Sequence, residues 1–256
     1  MAYKRIIVKI GTSVISGADG RLREHVLKHL VDQTALLRKK GVEVIIVTSG
    51  AVGVGRGLIK LHDSESVVAK QVFAAVGQVK LMSTYSEYFA EHGFACAQVL
   101  ATKEDFRDKE HYQNMKNCIT NLLRDNVVPV VNENDVVAVA ELVFTDNDEL
   151  AGLIAEQLNV DAVIILTTVE GVFAGNPKSA GTKVIQEISV SDVGSYEKYI
   201  TEDKSSFGRG GMLTKFNIAK KLAKQGIASH IVNGHRENVL LDTVAGKKIG
   251  TKFLPE

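Results

Sequence analysis

The stretch from Val44 to Gly57 constrains the fold of this chain most, because its character changes abruptly in the middle. Its first four residues, Val44–Val47, are apolar and β-branched, which is typical of a short strand buried on both faces of a sheet. Residues 48–57 are then mostly small and include four glycines, so the backbone can bend sharply and a ligand can approach its N–H groups. Open α/β sheets build ligand sites in this way, at the carboxyl ends of their strands. A flexible or tightly packed loop would have the same composition, and neither the dinucleotide pattern GxGxxG nor the phosphate-loop pattern GxxxxGKS/T is present, so both interpretations stay open.

A second apolar strand with the same kind of ending lies near the N-terminus. Arg5–Ile10 is followed by Gly11, Thr12 and Ser13, and Lys9 stands alone inside the apolar run. A lone lysine in such a run most often extends its ammonium group to solvent from the end of a strand. Beside a glycine turn, the same ammonium group could instead hold an anionic ligand such as phosphate.

The rest of the chain alternates strand and helix patterns, which predicts a mostly parallel sheet with helices on both faces. Further strands are expected from Val42, at Phe94–Leu100, Val127–Val131, Ala162–Leu166 and Ala228–Val232, with an edge strand at Gly250–Phe253. Helices are expected around Val26–Leu37, Ser66–Ala90, His111–Asp125, Leu150–Leu158 and Met212–Ala223. Gly77 is a place where the second of these helices could break. Pro129 argues mildly against a central position for its strand.

Composition bounds the class of protein. A chain of 256 residues that is 45% hydrophobic can bury a sizeable core, as one large domain or two small ones. With 31 basic and 30 acidic residues there is no basic field for nucleic acid or an anionic membrane. Cys96 and Cys118 are isolated, and no signal peptide or membrane-spanning apolar run is visible, so we expect a cytoplasmic protein with reduced thiols and no membrane partner.

A dense polar cluster, Asn132–Asp135, follows the strand at Val127–Val131. Turns favour asparagine and aspartate, but amides and carboxylates at a strand end could also bind a substrate with both an amino group and a carboxylate. Farther on, Asp146 and Glu149 have the spacing of a helix capping box. That structural explanation does not require Asn147 and Asp148, so these two residues are candidates for function.

The segment Gly208–Gly211 precedes a helix that carries Lys215 in its first turns. A cation near a helix N-terminus opposes the macrodipole unless an anion occupies the site. Glycines, free N–H groups and a lysine would together hold a phosphate well. A flexible loop before an ordinary amphipathic helix is the alternative interpretation.

Five motifs, in order along essentially the whole chain, resemble the glutamate 5-kinase (γ-glutamyl kinase) family of the amino acid kinase superfamily. The motifs are VKIGTS at Val8–Ser13, VTSGAVGVGR at Val47–Arg56, VNENDVVA at Val131–Ala138, DNDELA at Asp146–Ala151 and GRGGMLTK at Gly208–Lys215. The resemblance implies a three-layer α/β/α sandwich that uses ATP and Mg²⁺ to convert L-glutamate to γ-glutamyl phosphate, the first step of proline biosynthesis. It also implies a homo-oligomer, a dimer or tetramer, with proline as feedback inhibitor.

The resemblance further implies one amino acid kinase domain over residues 1–256, with a substrate-binding half at about 1–160 and a nucleotide-binding half at 161–256. Many members of the family continue into a PUA domain. Since the chain ends at Glu256, we expect no PUA domain here.

The family's site residues map onto this chain one by one. Catalytic roles fall on Lys9, Lys215 and Asp148, the last as the carboxylate that organises the two lysines. Substrate-binding roles fall on Ser49, Gly50, Asn134, Asp135 and Asn147. Nucleotide-binding roles fall on Lys9, Thr167, Thr168, Arg209, Gly210, Gly211, Met212, Leu213, Thr214 and Lys215. No protein ligand for a metal is implied.

Two positions depart from the family's pattern. Thr168 stands where relatives often have an acidic residue, which leaves the base and ribose contacts open. Val143 stands where some have a lysine, so a third cation at the site is either dispensable or supplied by another residue.

Two other classes of function stay open at this stage. A sister kinase for N-acetylglutamate, aspartate, carbamate or UMP would share the lysines and glycine loops, and would differ in the cluster Asn134, Asp135 and Asn147. A non-catalytic amino-acid sensor would keep that cluster but would not need Lys9 and Lys215.

Overall fold

The computed structural model describes residues 3–17, 19–138, 144, 146–176, 179, 181–200 and 211–255. Within these residues one sheet of eight strands has the order β3-β4-β2-β1-β5-β7-β8-β6. The strands are β1 Arg5–Ile10, β2 Glu43–Val47, β3 Cys96–Ala101, β4 Val128–Glu133, β5 Ala162–Thr167, β6 Glu187–Ile188, β7 Ala228–Asn233 and β8 Thr251–Phe253. All neighbouring pairs are parallel except β7 and β8, which are antiparallel.

Helices cover both faces of this sheet. They are α1 Thr12–Ile15, α2 Glu24–Lys39, α3 Ala51–Leu58, α4 Val67–Ala90, α5 Lys109–Arg124, α6 Asn147–Leu158, α7 Val193–Ile200, α8 Met212–Lys224 and α9 Val239–Val244. The mostly parallel sheet with helices on both faces, which the alternating pattern predicts, is therefore confirmed, and so is the three-layer α/β/α class that the resemblance implies.

Two apolar cores lie on opposite faces because successive side chains of a strand point to opposite sides. Ile6 and Val8 of β1 belong to one core, and Ile7 between them belongs to the other. The first core is completed by α2, α4 and α9, and the second by α5, α6 and α8. Burial on both faces explains why the central strands are continuous β-branched runs.

Several predicted boundaries differ from the observed ones. Asn132 and Glu133 are the last residues of β4 and not part of a turn, because they pair with Leu100 and Ala101 of β3. Residues 51–58 form α3, so the glycine turn after β2 is confined to Thr48–Gly50. The predicted edge strand is β8, and it is not at the edge, because β6 pairs with its outer side.

The proline in β4 does not exclude a central position. Pro129 pairs in register with Ala97 of β3, and the pairing of β4 with β2 begins one residue later, at Val130. The strand nevertheless lies between β3 and β2.

Helix α4 is continuous through Gly77, so the predicted region from Ser66 to Ala90 contains one helix and not two. The glycine is needed for a close helix crossing: a Cβ atom at Gly77 would lie 1.9 Å from the carbonyl oxygen of Ala51. On the facing helix, a Cβ atom at Gly55 would lie 1.9 Å from the carbonyl oxygen of Phe73. The two glycines therefore let the backbones of α3 and α4 touch, which fixes the start of α3 directly after the Thr48–Gly50 turn.

In the described part of the chain, no helix combines the length and apolarity needed to cross a membrane. Both cysteines are free thiols, Cys96 half-buried and Cys118 exposed.

Replacement of Gly77 by alanine should lower the free energy of unfolding by about 2 kcal/mol or more, because the new methyl group has no room at the crossing. Gly194 in α7 has open space around it, so Gly194→Ala is the matched control and should change stability by less than about 1 kcal/mol. Urea unfolding of both variants measures the difference. Equal stability of the two would show that α3 and α4 do not cross this closely.

One buried histidine makes stability depend on pH. His230 of β7 is 5% exposed, and its Nε2 atom lies 2.9 Å from the Tyr3 hydroxyl. Burial, together with the charge of Lys252, lowers the pKa of His230 to about 4. Because an unfolded histidine titrates near pH 6.5, the unfolded chain binds more protons between pH 6.5 and pH 4. Folding stability from this group is therefore complete above pH 6.5 and is lost as the pH falls towards 4.

We expect His230→Gln to remove this dependence. When the pH is lowered from 7 to 4, the unfolding free energy of the parent should fall by about 3 kcal/mol more than that of the variant. Denaturant unfolding at both pH values gives the difference, in which other titrating groups cancel. The exposed His25, replaced in the same way, is the control. A shift no larger than that of the control would contradict the burial of a neutral imidazole.

Candidate active site

The polar side chains of interest meet at the carboxyl edge of the sheet. Lys9 of β1 is in register with Val47 of β2 on one side and with Ile165 of β5 on the other. Helices α6 and α8 both begin at this edge, with Asn147 and Met212 as their first residues. Ligand sites in open α/β sheets form at such an edge.

Two lysines share one carboxylate at the centre of this edge. The ammonium nitrogen of Lys9 lies 2.7 Å from Asp148 Oδ1, and that of Lys215 lies 2.9 Å from Asp148 Oδ2. Asp148 is completely buried, and the two lysines are only 3% and 7% exposed. Lys9 therefore does not extend to solvent, and the default interpretation of a lone lysine in an apolar strand is wrong here.

The electrostatics of this cluster favour its charged form. Burial alone would raise the pKa of Asp148, but the ammonium groups of Lys9 and Lys215 outweigh it and hold the pKa below its usual range. Buried charges are costly unless they are paired, so the shared carboxylate is what allows two ammonium groups to lie side by side. Two such groups can stabilise an anion that enters between them.

Asp146 lies two residues before Asp148 in the chain. Its Oδ1 atom accepts hydrogen bonds from the backbone N–H groups of Asp148 and Glu149, at 2.8 Å and 3.2 Å, so it is the N-cap of α6 as the capping pattern predicts. Its buried Oδ2 atom has no hydrogen-bond partner among the described residues. Burial and the neighbouring charge of Asp148 raise the pKa of Asp146 to about 6, against the opposing effect of the two lysines.

Asn147 connects three elements of the site. Its Nδ2 atom donates to the carbonyl oxygen of Thr48 at 2.6 Å, to Ser49 Oγ at 3.0 Å and to Asn132 Oδ1 at 2.8 Å. Asn132 in turn donates to Gln78 of α4 at 2.9 Å. Two of the predicted substrate-binding residues, Ser49 and Asn147, are thus in direct contact.

The other predicted substrate-binding residues follow the ends of β4 and β2. Asn134 and Asp135 follow β4, both half-buried, and the turn after β2 is joined to β4 by the Thr48 N–H group, which donates to Val131 O at 2.9 Å. Gly50 has φ 102°, which requires glycine, and it precedes α3 directly.

The predicted nucleotide-binding residues lie on the other side of Lys9. Thr167 ends β5 with 8% exposure, and Thr168 after it is exposed. Gly211 is the N-cap of α8, and Met212, Leu213, Thr214 and Lys215 form its first turn, as expected. Arg209, Gly210 and the departure at Val143 lie outside the described residues.

Three residues at the site are not predicted by the sequence. Asn132 lies in the polar cluster, and its side chain is the direct partner of Asn147. Asp146 fits the capping pattern, which by itself indicates no further role. Gln78 differs from its surroundings only as a polar residue in a mostly apolar helix. In the described part of the chain, no group of three or more histidine, cysteine or acidic side chains could hold a metal ion.

Comparison with known proteins identifies the class to which this fold and site belong. The model of the amino acid kinase family matches residues 4–233, and the chain belongs to that family. Among curated relatives, a glutamate 5-kinase of Chlorobaculum tepidum is 51% identical over 255 residues, which are 99% of this chain and 70% of the relative. A glutamate 5-kinase of Bacteroides thetaiotaomicron is 48% identical over 256 residues, 99% of this chain and 71% of the relative.

Solved structures agree on the fold. A UMP kinase of Bacillus anthracis superposes with a TM-score of 0.68 at 15% identity, over all of this chain and 98% of the other. A carbamate kinase of Giardia lamblia bound to AMP-PNP gives a TM-score of 0.72 at 17% identity, over all of this chain and 99% of the other.

We expect Asp148→Asn to lower the free energy of unfolding by about 3 kcal/mol or more in the absence of ligand, because it removes the charge that the two buried lysines share. Glu149→Gln is the matched control. Its carboxylate pairs with Lys103 at a partly exposed position, 3.1 Å away, and its loss should cost under about 1 kcal/mol. Similar costs for the two variants would mean that Asp148 does not act as the shared counter-ion.

Proposed function

We propose that this protein transfers the γ-phosphoryl group of ATP to the γ-carboxylate of L-glutamate and forms L-glutamyl 5-phosphate, the first step of proline biosynthesis. The observation that carries the proposal is the pair of buried ammonium groups on Asp148, set between the Asn147 contact network and the N-terminus of α8. The similarity to proteins named glutamate 5-kinase, which covers 99% of this chain, supports the choice of substrate.

The chemistry requires cations more than it requires a base. A carboxylate oxygen of glutamate attacks the γ-phosphorus, and the bond to the departing ADP oxygen breaks. Both reactants are anions, and negative charge spreads over the transferring phosphoryl group, so positioning and electrostatic stabilisation provide most of the catalysis. The attacking carboxylate is already ionised at neutral pH, so no general base is needed.

In this proposal Lys9 and Lys215 contact the phosphoryl group from two sides. Lys9 comes from a strand in the centre of the sheet and Lys215 from the first turn of α8, and Asp148 sets the separation of their ammonium groups. Preorganised cations of this kind stabilise charge where it develops in the transition state. Asp148 is thus an organising residue, with both carboxylate oxygens already occupied.

The glutamate and ATP sites lie on opposite sides of Lys9. Ser49, Gly50, Asn134, Asp135 and Asn147 would hold glutamate, with Asp135 as partner of its α-ammonium group. Thr167 and Thr168 would hold ATP together with Arg209, Gly210 and the start of α8 from Gly211 to Lys215. This assignment divides the single kinase domain into a substrate-binding half, about 1–160, and a nucleotide-binding half, 161–256.

Mg²⁺ is proposed to arrive with ATP, held by phosphate oxygens and water, since it retains its waters readily. The shared carboxylate of Asp148 is turned to the two lysines, so no protein ligand for the metal is assigned.

We also propose a cytoplasmic homo-oligomer, a dimer or tetramer. Exposed valines on α4 support an interface: Val67, Val68 and Val79 are 65%, 67% and 72% exposed. Proline is proposed to inhibit in competition with glutamate, because its carboxylate could occupy the same contacts.

Lys9→Ala and Lys215→Ala should each lower kcat by roughly 100-fold or more, the scale of losing one preorganised electrostatic donor. Lys221→Ala, on the outer face of the same helix as Lys215 and half-exposed, is the control and should retain its rate. Initial rates at saturating ATP and glutamate give the answer. Near-parental turnover in both site variants would refute their role.

The choice of acceptor is tested by an ATP-dependent acyl-hydroxamate assay with glutamate, N-acetylglutamate and aspartate. Glutamate should be preferred, because its α-ammonium group can pair with the carboxylate of Asp135, whereas the acetylated analogue has no ammonium group. Asp135→Asn should raise KM for glutamate and leave KM for ATP unchanged. It should also narrow the preference for glutamate over N-acetylglutamate. A variant that keeps its glutamate KM and loses ATP affinity would place Asp135 on the nucleotide side.

A further inference from the structure

A chain of four side-chain amides runs from the surface of the molecule to the substrate side of the site. Asn147 Nδ2 donates to Asn132 Oδ1 at 2.8 Å, and Asn132 Nδ2 donates to Gln78 Oε1 at 2.9 Å. Gln78 Nε2 then donates to Gln98 Oε1 at 3.1 Å. Along this path Asn147, Asn132 and Gln78 each donate to the next amide outward. We call Gln98, Gln78, Asn132 and Asn147 the amide chain.

We propose that Gln78 is a positioning residue for the amino-acid substrate: by holding Asn132 it orients Asn147, so that the carbonyl oxygen of Asn147 faces the substrate's ammonium group. This inference rests on the proposed function, because it assumes an acceptor with a free α-ammonium group.

Two backbone groups set the direction of the amide chain. The N–H group of Glu133 donates to Asn132 Oδ1 at 2.9 Å, and a backbone N–H can only donate. The carbonyl oxygen of Thr48 accepts from Asn147 Nδ2 at 2.6 Å, and a carbonyl can only accept. The oxygen and nitrogen of both asparagines are therefore assigned by chemistry. A flip of either amide would set like groups against each other.

This direction determines what Asn147 offers to a ligand. Its Nδ2 atom is surrounded by the three acceptors of the site. Its Oδ1 atom accepts no hydrogen bond from the described residues, although it is not sealed from solvent. An ammonium group is a donor without acceptors, so it matches the free oxygen of Asn147, whereas a reversed amide would favour a carboxylate.

Gln78 completes this arrangement by supplying an acceptor for the Asn132 side chain. Asn132 is 2% exposed, and in the described part of the chain Gln78 Oε1 is the side-chain acceptor for its Nδ2 atom. A buried donor without an acceptor is costly, so without Gln78 the Asn132 amide would turn to seek another partner and withdraw its oxygen from Asn147. Gln78 is itself held in place because Gly77, the preceding residue, packs against the backbone of Ala51.

The test compares three variants. Gln78→Met keeps the length of the side chain and removes the acceptor, Gln78→Glu keeps an acceptor oxygen at the same place, and Gln98→Met alters only the exposed end of the amide chain. We expect Gln78→Met to raise KM for glutamate about tenfold with KM for ATP within about twofold, the scale of leaving one buried donor unpaired. Gln78→Glu should restore KM to within about threefold, and Gln98→Met should behave like the parent.

A general loss of structure would not give this pattern, because it would change the KM values for both substrates and Gln78→Glu would not restore them. An unchanged glutamate KM in Gln78→Met, or a failure of Gln78→Glu to restore it, overturns the proposal. Should Gln78→Met not fold, Gln78→Ala removes the same acceptor and answers the same question.

The parent enzyme separates this proposal from the proposed function. If it phosphorylates aspartate and not glutamate, the proposed substrate is wrong, and the variants are compared by KM for aspartate, which also has an α-ammonium group. If the parent uses N-acetylglutamate alone, both proposals fail, since that acceptor has no ammonium group for Asn147 to bind.

Discussion

The contact of one buried carboxylate with two buried ammonium groups is the constraint on which the rest of this structure depends. Lys9, Asp148 and Lys215 come from a strand, from the start of α6 and from the start of α8, and their charges meet within 3 Å. A slip of one residue in β1 would turn Lys9 to the opposite face of the sheet and leave a buried charge unpaired. The central strand register and the two helix starts must therefore be set together.

The same edge of the sheet carries a polar network, and hydrogen bonds connect it to helices that pack in the apolar cores. Asn147 joins α6 to the turn after β2, and Tyr85 of α4 reaches the same turn through a buried hydrogen bond to Thr48 Oγ1 at 3.0 Å. The crossing of α3 and α4 at Gly55 and Gly77 brings α4 close enough for this. Glycine inside a helix costs about 1 kcal/mol relative to alanine, so the crossing exchanges local helix stability for a fixed turn.

Much of the fold could be predicted from the sequence, because buried parallel strands consist of runs of β-branched residues and each such run matched a strand. The predictions that differ from the structure do so for physical reasons. Asn132 and Glu133 favour turns by themselves, but pairing with β3 extends β4 through them. Gly77 suggests a break only if its neighbours are ignored, since the space it leaves is filled by the backbone of α3. Periodicity could not reveal that Lys9 is buried, because its partner lies 139 positions along the chain. The pairing of the lysines with Asp148 was implied by resemblance alone.

We propose that the two lysines stabilise the transferring phosphoryl group while Asp148 holds them. A crystal structure with ADP, aluminium fluoride and glutamate tests it most directly, since the fluoride complex occupies the position of that group. We expect the ammonium nitrogens of Lys9 and Lys215 both to lie within hydrogen-bond distance of fluoride and to remain in contact with Asp148. A complex in which neither lysine reaches the fluoride, with both still turned to Asp148, would contradict it.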